Sequence, residues 1–237
     1  MASYSGAVED LRGSLPSLKR RSQGLPDDPD IGKELGPEFL RSEQLGAKKC
    51  SLERRERLRE ALGVVKGCVD SSGFNDYSAT AYMVATMLSL EELLKRVKSS
   101  DARADKAVDM VSDMGHILSL TVQEARTAVI RMKWKDILAL ATRSLRLASK
   151  DELFCRGFCS ITASIISVVD SMSWKSPQLI GAYRQLLLFG IDQRSRVQHR
   201  AKTALTAIYN GPRAENISIR FSKSNAAFLI TALGDSQ

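Results

Sequence analysis

The chain has 237 residues, 43% of them hydrophobic and 26% charged, with a net charge of +8 and a pI near 9.4. This is ordinary composition for a globular protein with room for one large or two small domains. No apolar run approaches the roughly 18 residues of a membrane span, and MASYSGAVED lacks a signal-peptide core, so a reduced intracellular compartment is expected.

Residues 1–50 read as a largely disordered or extended tail. GLPDDPDIGKELGPEF is crowded with Gly, Pro and Asp, which break helices and favour turns. Lys19, Arg20 and Arg21 form a basic cluster, read either as solvated tail or as part of a nuclear-import signal. Phe39 and Leu40 are the candidates to dock the tail on the body.

Residues 51–237 change character. After Pro37 the next proline is Pro177, and the intervening stretch is rich in helix formers. Ser51 is a plausible N-cap for a helix with Leu52, Leu58, Leu62, Val65 and Val69 on its apolar face. A turn follows at Ser71–Asn75. DYSATAYMVATMLSLEELLKRV then reads as one long helix or two short ones, with Leu88, Leu90, Leu93, Leu94 and Val97 as its apolar side. Ala107, Met110, Val111, Met114, Ile117 and Leu118 follow the i, i+3, i+4, i+7 rule, which makes the methionines core filler and His116 a structural or surface residue. One or two helices follow, using Val129, Ile137, Leu138, Leu145 and Leu147, with Trp134 as a packing anchor.

The next helix buries Phe154, Phe158, Ile161, Ile165, Ile166 and Val169. Pro177 opens another at the position where proline is tolerated, with Leu179, Ile180, Tyr183, Leu186, Leu187 and Ile191 as its apolar set. The stretch GIDQRSRVQHRAKTALTAIYNG forms the next helix, which Gly211-Pro212 ends. A short extended piece, NISIRF, precedes a final helix from Lys223 to Leu233. The expectation is an all-α protein of about eight helices.

The apolar set Phe158, Ile165, Ile166, Val169 recurs at an offset of 39 as Val197, Ala204, Leu205, Ile208. Leu138 and Leu145 recur at an offset of 42 as Ile180 and Leu187. These offsets are close to the roughly 40–47-residue period of HEAT and armadillo units. The fold class expected is therefore a HEAT/armadillo-like α-solenoid, with a compact bundle as the alternative. The run LLLFGIDQRSRVQHRAKTALTAI resembles the HEAT repeat consensus, in which an Asp follows the first helix and a Val opens the second with Ala and Leu behind it. That resemblance gives the repeat frame Asp192, Val197, Ala201, Ala204, Leu205 and Ile208. Asp192 is placed to satisfy free N–H groups between paired helices, and the two alanines let the helices approach closely. Gln198 stands where HEAT units usually carry an Arg after the Val, which leaves an inter-repeat ladder built on that Arg without its residue.

Gly190–Lys223 carries a net charge of +5, and Arg194, Arg196, Arg200 and Lys202 cluster at one helix start. They are the candidate contacts for RNA phosphates or a partner, against the alternative of a solvated basic face. Only Tyr209 lies nearby as a stacking platform, so base recognition is not indicated. Cys50, Cys68, Cys155 and Cys159 do not form a disulfide framework, and with His116 and His199 as the two histidines no metal site is expected. No P-loop, dinucleotide turn or His-Glu metal motif occurs, and the thiol of Cys68 has no nearby histidine. Catalytic residues, cofactors and a small-molecule substrate are therefore not expected.

The run YRQLLLFGIDQRSRVQHRAKTAL, with Tyr183, Leu187, Asp192, Arg196, Val197 and Arg200, resembles the N-terminal region of the large HEAT-repeat ribosome-biogenesis factors known as ribosomal RNA-processing protein twelve. LLKRV at Leu93–Val97 and FSKSNAAFLITAL near the end fit the same family, and the resemblance spans about residues 55 to 235. Ser195 replaces a proline common in the family, and members are far longer than this chain. The resemblance implies a non-enzymatic scaffold in assembly and nuclear export of ribosomal precursor particles. Its implied partners are ribosome-assembly proteins and precursor ribosomal RNA, in the nucleus and nucleolus with shuttling to the cytoplasm, and no membrane. The competing readings are an importin-like or vesicle-coat transport adaptor, which the basic charge and the two tryptophans suit poorly, and a small helical regulatory partner.

Overall fold

The computed structural model describes Leu40 and residues 51–72, 78–97 and 104–211, the side chains of 104 and 105 excepted. The basic cluster at Lys19–Arg21, Phe39, Cys50, NISIRF, Pro212 and the expected helix at Lys223–Leu233 lie outside the described residues. Seven α-helices are described: α1 Leu52–Ser71, α2 Ala79–Val97, α3 Ala104–Glu124, α4 Thr127–Ala148, α5 Glu152–Val168, α6 Pro177–Phe189 and α7 Ser195–Tyr209. A 3-10 turn at Ser173–Lys175 precedes α6.

Local chemistry sets most of the helix ends. Ser51 accepts the Arg54 N–H at 3.3 Å and caps α1, and Ser78 does the same for α2 through the Ala81 N–H. Asp151 caps α5 by accepting the Phe154 N–H at 2.8 Å. Pro177 occupies the first turn of α6, where its missing N–H costs no hydrogen bond. Asn210, not Gly211, caps the end of α7. The segment before Val97 is one helix, and so is the segment after Arg126.

The order of packing defines the architecture. Consecutive helices pack on each other throughout. In addition α1 packs on α3, α3 on α5 and α5 on α7, while α2 packs on α4 and α4 on α6. The main neighbours of α1 are α2 and α3, and those of α7 are α5 and α6. A closed bundle would return its last helix to its first; contacts confined to near neighbours make two stacked layers instead, an α-solenoid. The repeating units are α2–α3, α4–α5 and α6–α7, with α1 as the second-layer helix of the unit before them.

One continuous core fills the space between the layers. The α5 face from Phe154 to Val169 is buried as its periodicity required, and its α7 counterparts Val197, Ala204 and Ile208 are buried with it. Leu205 is partly buried against the same core. Met110 and Met114 are fully buried, His116 is buried, and Leu40 is inside the core. Four apolar residues assigned to helix stripes are exposed instead: Leu52, Leu88, Leu147 and Ile191. Leu52 opens its helix ahead of the packed turns, Leu147 lies in the last turn of α4, and Ile191 lies past the end of α6. Leu88 sits mid-helix on the outer layer, where no described helix covers it.

Candidate functional site

Helices α1, α3, α5 and α7 form one layer, and a seam of polar side chains stitches them together. At one end Arg54 of α1 reaches across two neighbours. It donates to the Asp151 carboxylate on the α5 cap at 2.7 Å and to the Ser112 hydroxyl of α3 at 3.2 Å, and its guanidinium lies 3.1 Å from Asp113. One turn on, Arg57 donates to Asp113 at 3.1 Å and pairs with Asp109 at 3.1 Å and Glu53 at 3.6 Å.

Asp113 is fully buried. Burial pushes its carboxyl up to about 6, although both guanidiniums pull it down. At Asp151 burial also pushes upward. There the Arg54 guanidinium and the Phe154 N–H outweigh it and hold the carboxyl below its usual value. Two carboxylates facing one arginine therefore titrate in opposite directions.

The seam continues at α7, on residues singled out by the repeat frame. Asp192 accepts the Arg194 N–H at 2.8 Å and grips the guanidinium of the same residue at 2.8 and 2.9 Å. Hydrogen bonding to that guanidinium lowers the Asp192 carboxyl. The rest of the Arg194 head donates to the carbonyls of Ser149 and Lys150 at 2.9 and 3.2 Å, just past the end of α4. Arg200 donates to Ser160 of α5 at 2.7 Å and to Gln123 of α3 at 3.1 Å. Gln123 in turn donates to the Ser119 carbonyl. A ladder between units therefore exists without an Arg at position 198: Arg194 and Arg200 supply it from either side.

The four basic residues of the candidate contact set thus separate. Arg194 and Arg200 spend their guanidiniums on the protein's own acceptors. Arg196 is exposed and lies 3.8 Å from Glu152. Lys202 is exposed and has no ion pair among the described residues. His199 is exposed beside them. At the far end of the α6–α7 pair the hydroxyls of Tyr183 and Tyr209 bond to each other, and burial drives the Tyr183 phenol upward.

Sequence reasoning missed Arg54, Arg57, Asp113 and Asp151. The signal was available. Asp109 and Asp113 stand four apart on α3 among mostly apolar positions, and Arg54 and Arg57 stand three apart on α1, two helices earlier. Asp151 also precedes Asp192 by 41 residues, within the repeat period.

The three described cysteines offer no reactive thiolate. Cys155 and Cys159 share one face of α5, both are buried, and burial pushes the Cys159 thiol up to about 12. Cys68 is buried and shifted upward for the same reason. Among the described residues no three His, Cys, Asp or Glu side chains converge as metal ligands, and no helix is long and apolar enough to cross a membrane.

No curated protein and no solved structure matches the chain. A protein family does, the one described as RRP12-like, N-terminal HEAT repeats, over residues 26–228. That span takes in all seven described helices, and their stacked pairs agree with the HEAT repeats that the description names. The chain belongs to the RRP12-like family, in its N-terminal HEAT-repeat region.

Proposed function

We propose that the chain is a non-enzymatic helical scaffold in ribosome biogenesis, binding assembly proteins and the phosphates of precursor RNA. On this reading it works in the nucleus and nucleolus and accompanies particles to the cytoplasm. The observation that carries it is membership of the RRP12-like family across most of the chain. The architecture supports it: a stack of helical pairs offers long exposed faces to partners. Its buried polar groups serve cohesion between units.

Within the basic set, Arg196 and Lys202 are the proposed phosphate contacts, because their charge is not consumed by the ladder. Such contacts position RNA without reading its sequence.

Gradient sedimentation of nuclear extract containing the tagged chain tests the scaffold reading. The expected result is co-migration with ribosomal precursor particles and recovery of assembly factors from those fractions. A chain confined to the top of the gradient, with no assembly factor bound, refutes it.

A further inference from the structure

The outer layer carries a feature that the ladder does not use. Between α2 and α4 runs an open groove of about 270 Å³. Its floor is apolar: Val84, Met87 and Leu88 from α2, Ala139 and Leu140 from α4. Leu88 is 51% exposed in the middle of its helix, and Met132, on α4, is 74% exposed. The volume falls below the roughly 300 Å³ at which small-molecule pockets begin, so the groove suits a few protruding side chains and not a cofactor.

The charges at its rim are unequal. Lys133 is matched by Asp136 at 3.4 Å and Glu91 by Lys95 at 3.8 Å. Arg143, which lines the groove, has no ion pair or hydrogen bond among the described residues. Nor has Arg146, one turn further along α4. Lys135, next to the lining and not part of it, rests 5.6 Å above the Trp134 ring and has no ion pair among the described residues. Lys135 and Arg146 are eleven residues apart, three helical turns, and so lie on one side of α4. The surrounding chain repeats the bias: residues 126–211 hold 14 basic and 5 acidic side chains, against 10 and 12 in residues 51–125.

We propose that the α2–α4 groove is a docking site for an acidic protein segment that inserts apolar anchors beside Leu88 and sets its carboxylates against Lys135, Arg143 and Arg146. The charge imbalance fixes the sign of the partner, and the apolar floor fixes its class. A nucleic acid gains nothing from burying phosphate against Met87 and Leu140, and Trp134 is itself buried and offers no free stacking face. A peptide can satisfy both halves of the site. The proposal adds a partner chemistry to the scaffold reading and is tested apart from it.

The test uses the full chain and a fluorescent synthetic helical peptide with Leu at i, i+3 and i+7 in a field of Glu. Fluorescence anisotropy should report binding. Leu88→Glu and Arg143→Glu should each weaken it about tenfold, with unchanged helical content, because neither side chain is in the core. Met172→Glu, an exposed apolar site away from the groove, should leave it unchanged. Replacing the peptide's leucines with Ser should abolish it.

Four results overturn the proposal. The peptide fails to bind; it binds equally well without its leucines; it ignores both groove substitutions; or a uridine homopolymer displaces it through the same residues. Binding that emerges only after Asp27, Asp28, Asp30, Glu34 and Glu38 are neutralised would assign the groove to the chain's own acidic segment, and that also overturns a partner in trans. Co-sedimentation with precursor particles is read separately, so a silent groove leaves the scaffold reading standing.

Discussion

Gly115 lies on α3 where that helix packs against α5. A Cβ placed there would sit 2.0 and 2.4 Å from two ring carbons of Phe154, whereas ordinary contact starts near 3.4 Å. The ring would have to retreat by about 1.4 Å. Phe154 is fully buried, so it has nowhere to go without shifting α5. Overpacking of this kind costs about 1–3 kcal/mol, and a clash this deep belongs at the upper end. Alanine returns about 1 kcal/mol of helix propensity, which leaves Gly115→Ala destabilised by about 2 kcal/mol. For a chain of this size that is a fall in Tm of about 4–8 °C. Gly181 on α6 is the matched control, because a Cβ there meets nothing within 4 Å. Gly181→Ala gains the same propensity without the clash and should raise Tm by about 2–4 °C. Thermal unfolding followed by far-UV circular dichroism measures both. Adding Phe154→Leu to Gly115→Ala should recover part of the loss, so the pair should be less damaging than the sum of its members. A Gly115→Ala protein as stable as wild type, or a strictly additive double mutant, would refute the close-packing argument.

Three further outcomes are expected. Arg200→Met keeps the side-chain stem but removes the donors to Ser160 and Gln123; urea unfolding should show a loss of about 1.5–3 kcal/mol, typical of hydrogen bonds that involve a charged group. Asp113 has a folded value of about 6, above its unfolded 3.8, so its contribution to stability is greatest below the unfolded value and is lost as pH rises through that window. Asp151 and Asp192, held low, act with the opposite sign, losing their contribution as pH falls. Asp113→Asn should therefore make stability rise more steeply with pH between about 4 and 6, measured as urea midpoints across that range; an unchanged slope would contradict the burial argument. For RNA, Arg196→Glu with Lys202→Glu should weaken filter binding and flatten its dependence on salt by about one to two phosphate contacts. Arg200→Met should leave that slope unchanged.

Apolar periodicity carried most of the fold in the primary structure. The α5 and α7 faces were readable because their positions repeat and because nearly every member is buried. The stripe reading erred where a helix face has a second environment. Leu88 obeys helical spacing like its neighbours, yet it points from the outer layer into the groove. Spacing reports which residues share a face, and only the neighbouring unit decides whether that face is covered.

Charge was harder to read for a related reason. Arg194, Arg196, Arg200 and Lys202 form one basic cluster in sequence, but the fold divides them by reach. Arg194 turns back to the end of α4, and Arg200 spans from α7 past α5 to α3, both toward acceptors more than 35 residues away in the chain. Asp113 and Arg54 are the converse case, charges far apart in the chain that meet at a layer contact. In a stacked-helix protein each unit's polar groups find partners in the next, so a charge can be assigned to cohesion or to binding only once the neighbouring unit is in place. That is why the groove on the outer layer is informative. Arg143 and Arg146 have α2 and α6 on either side of their helix and still find no acid among the described residues, so the described helices leave their charge unspent.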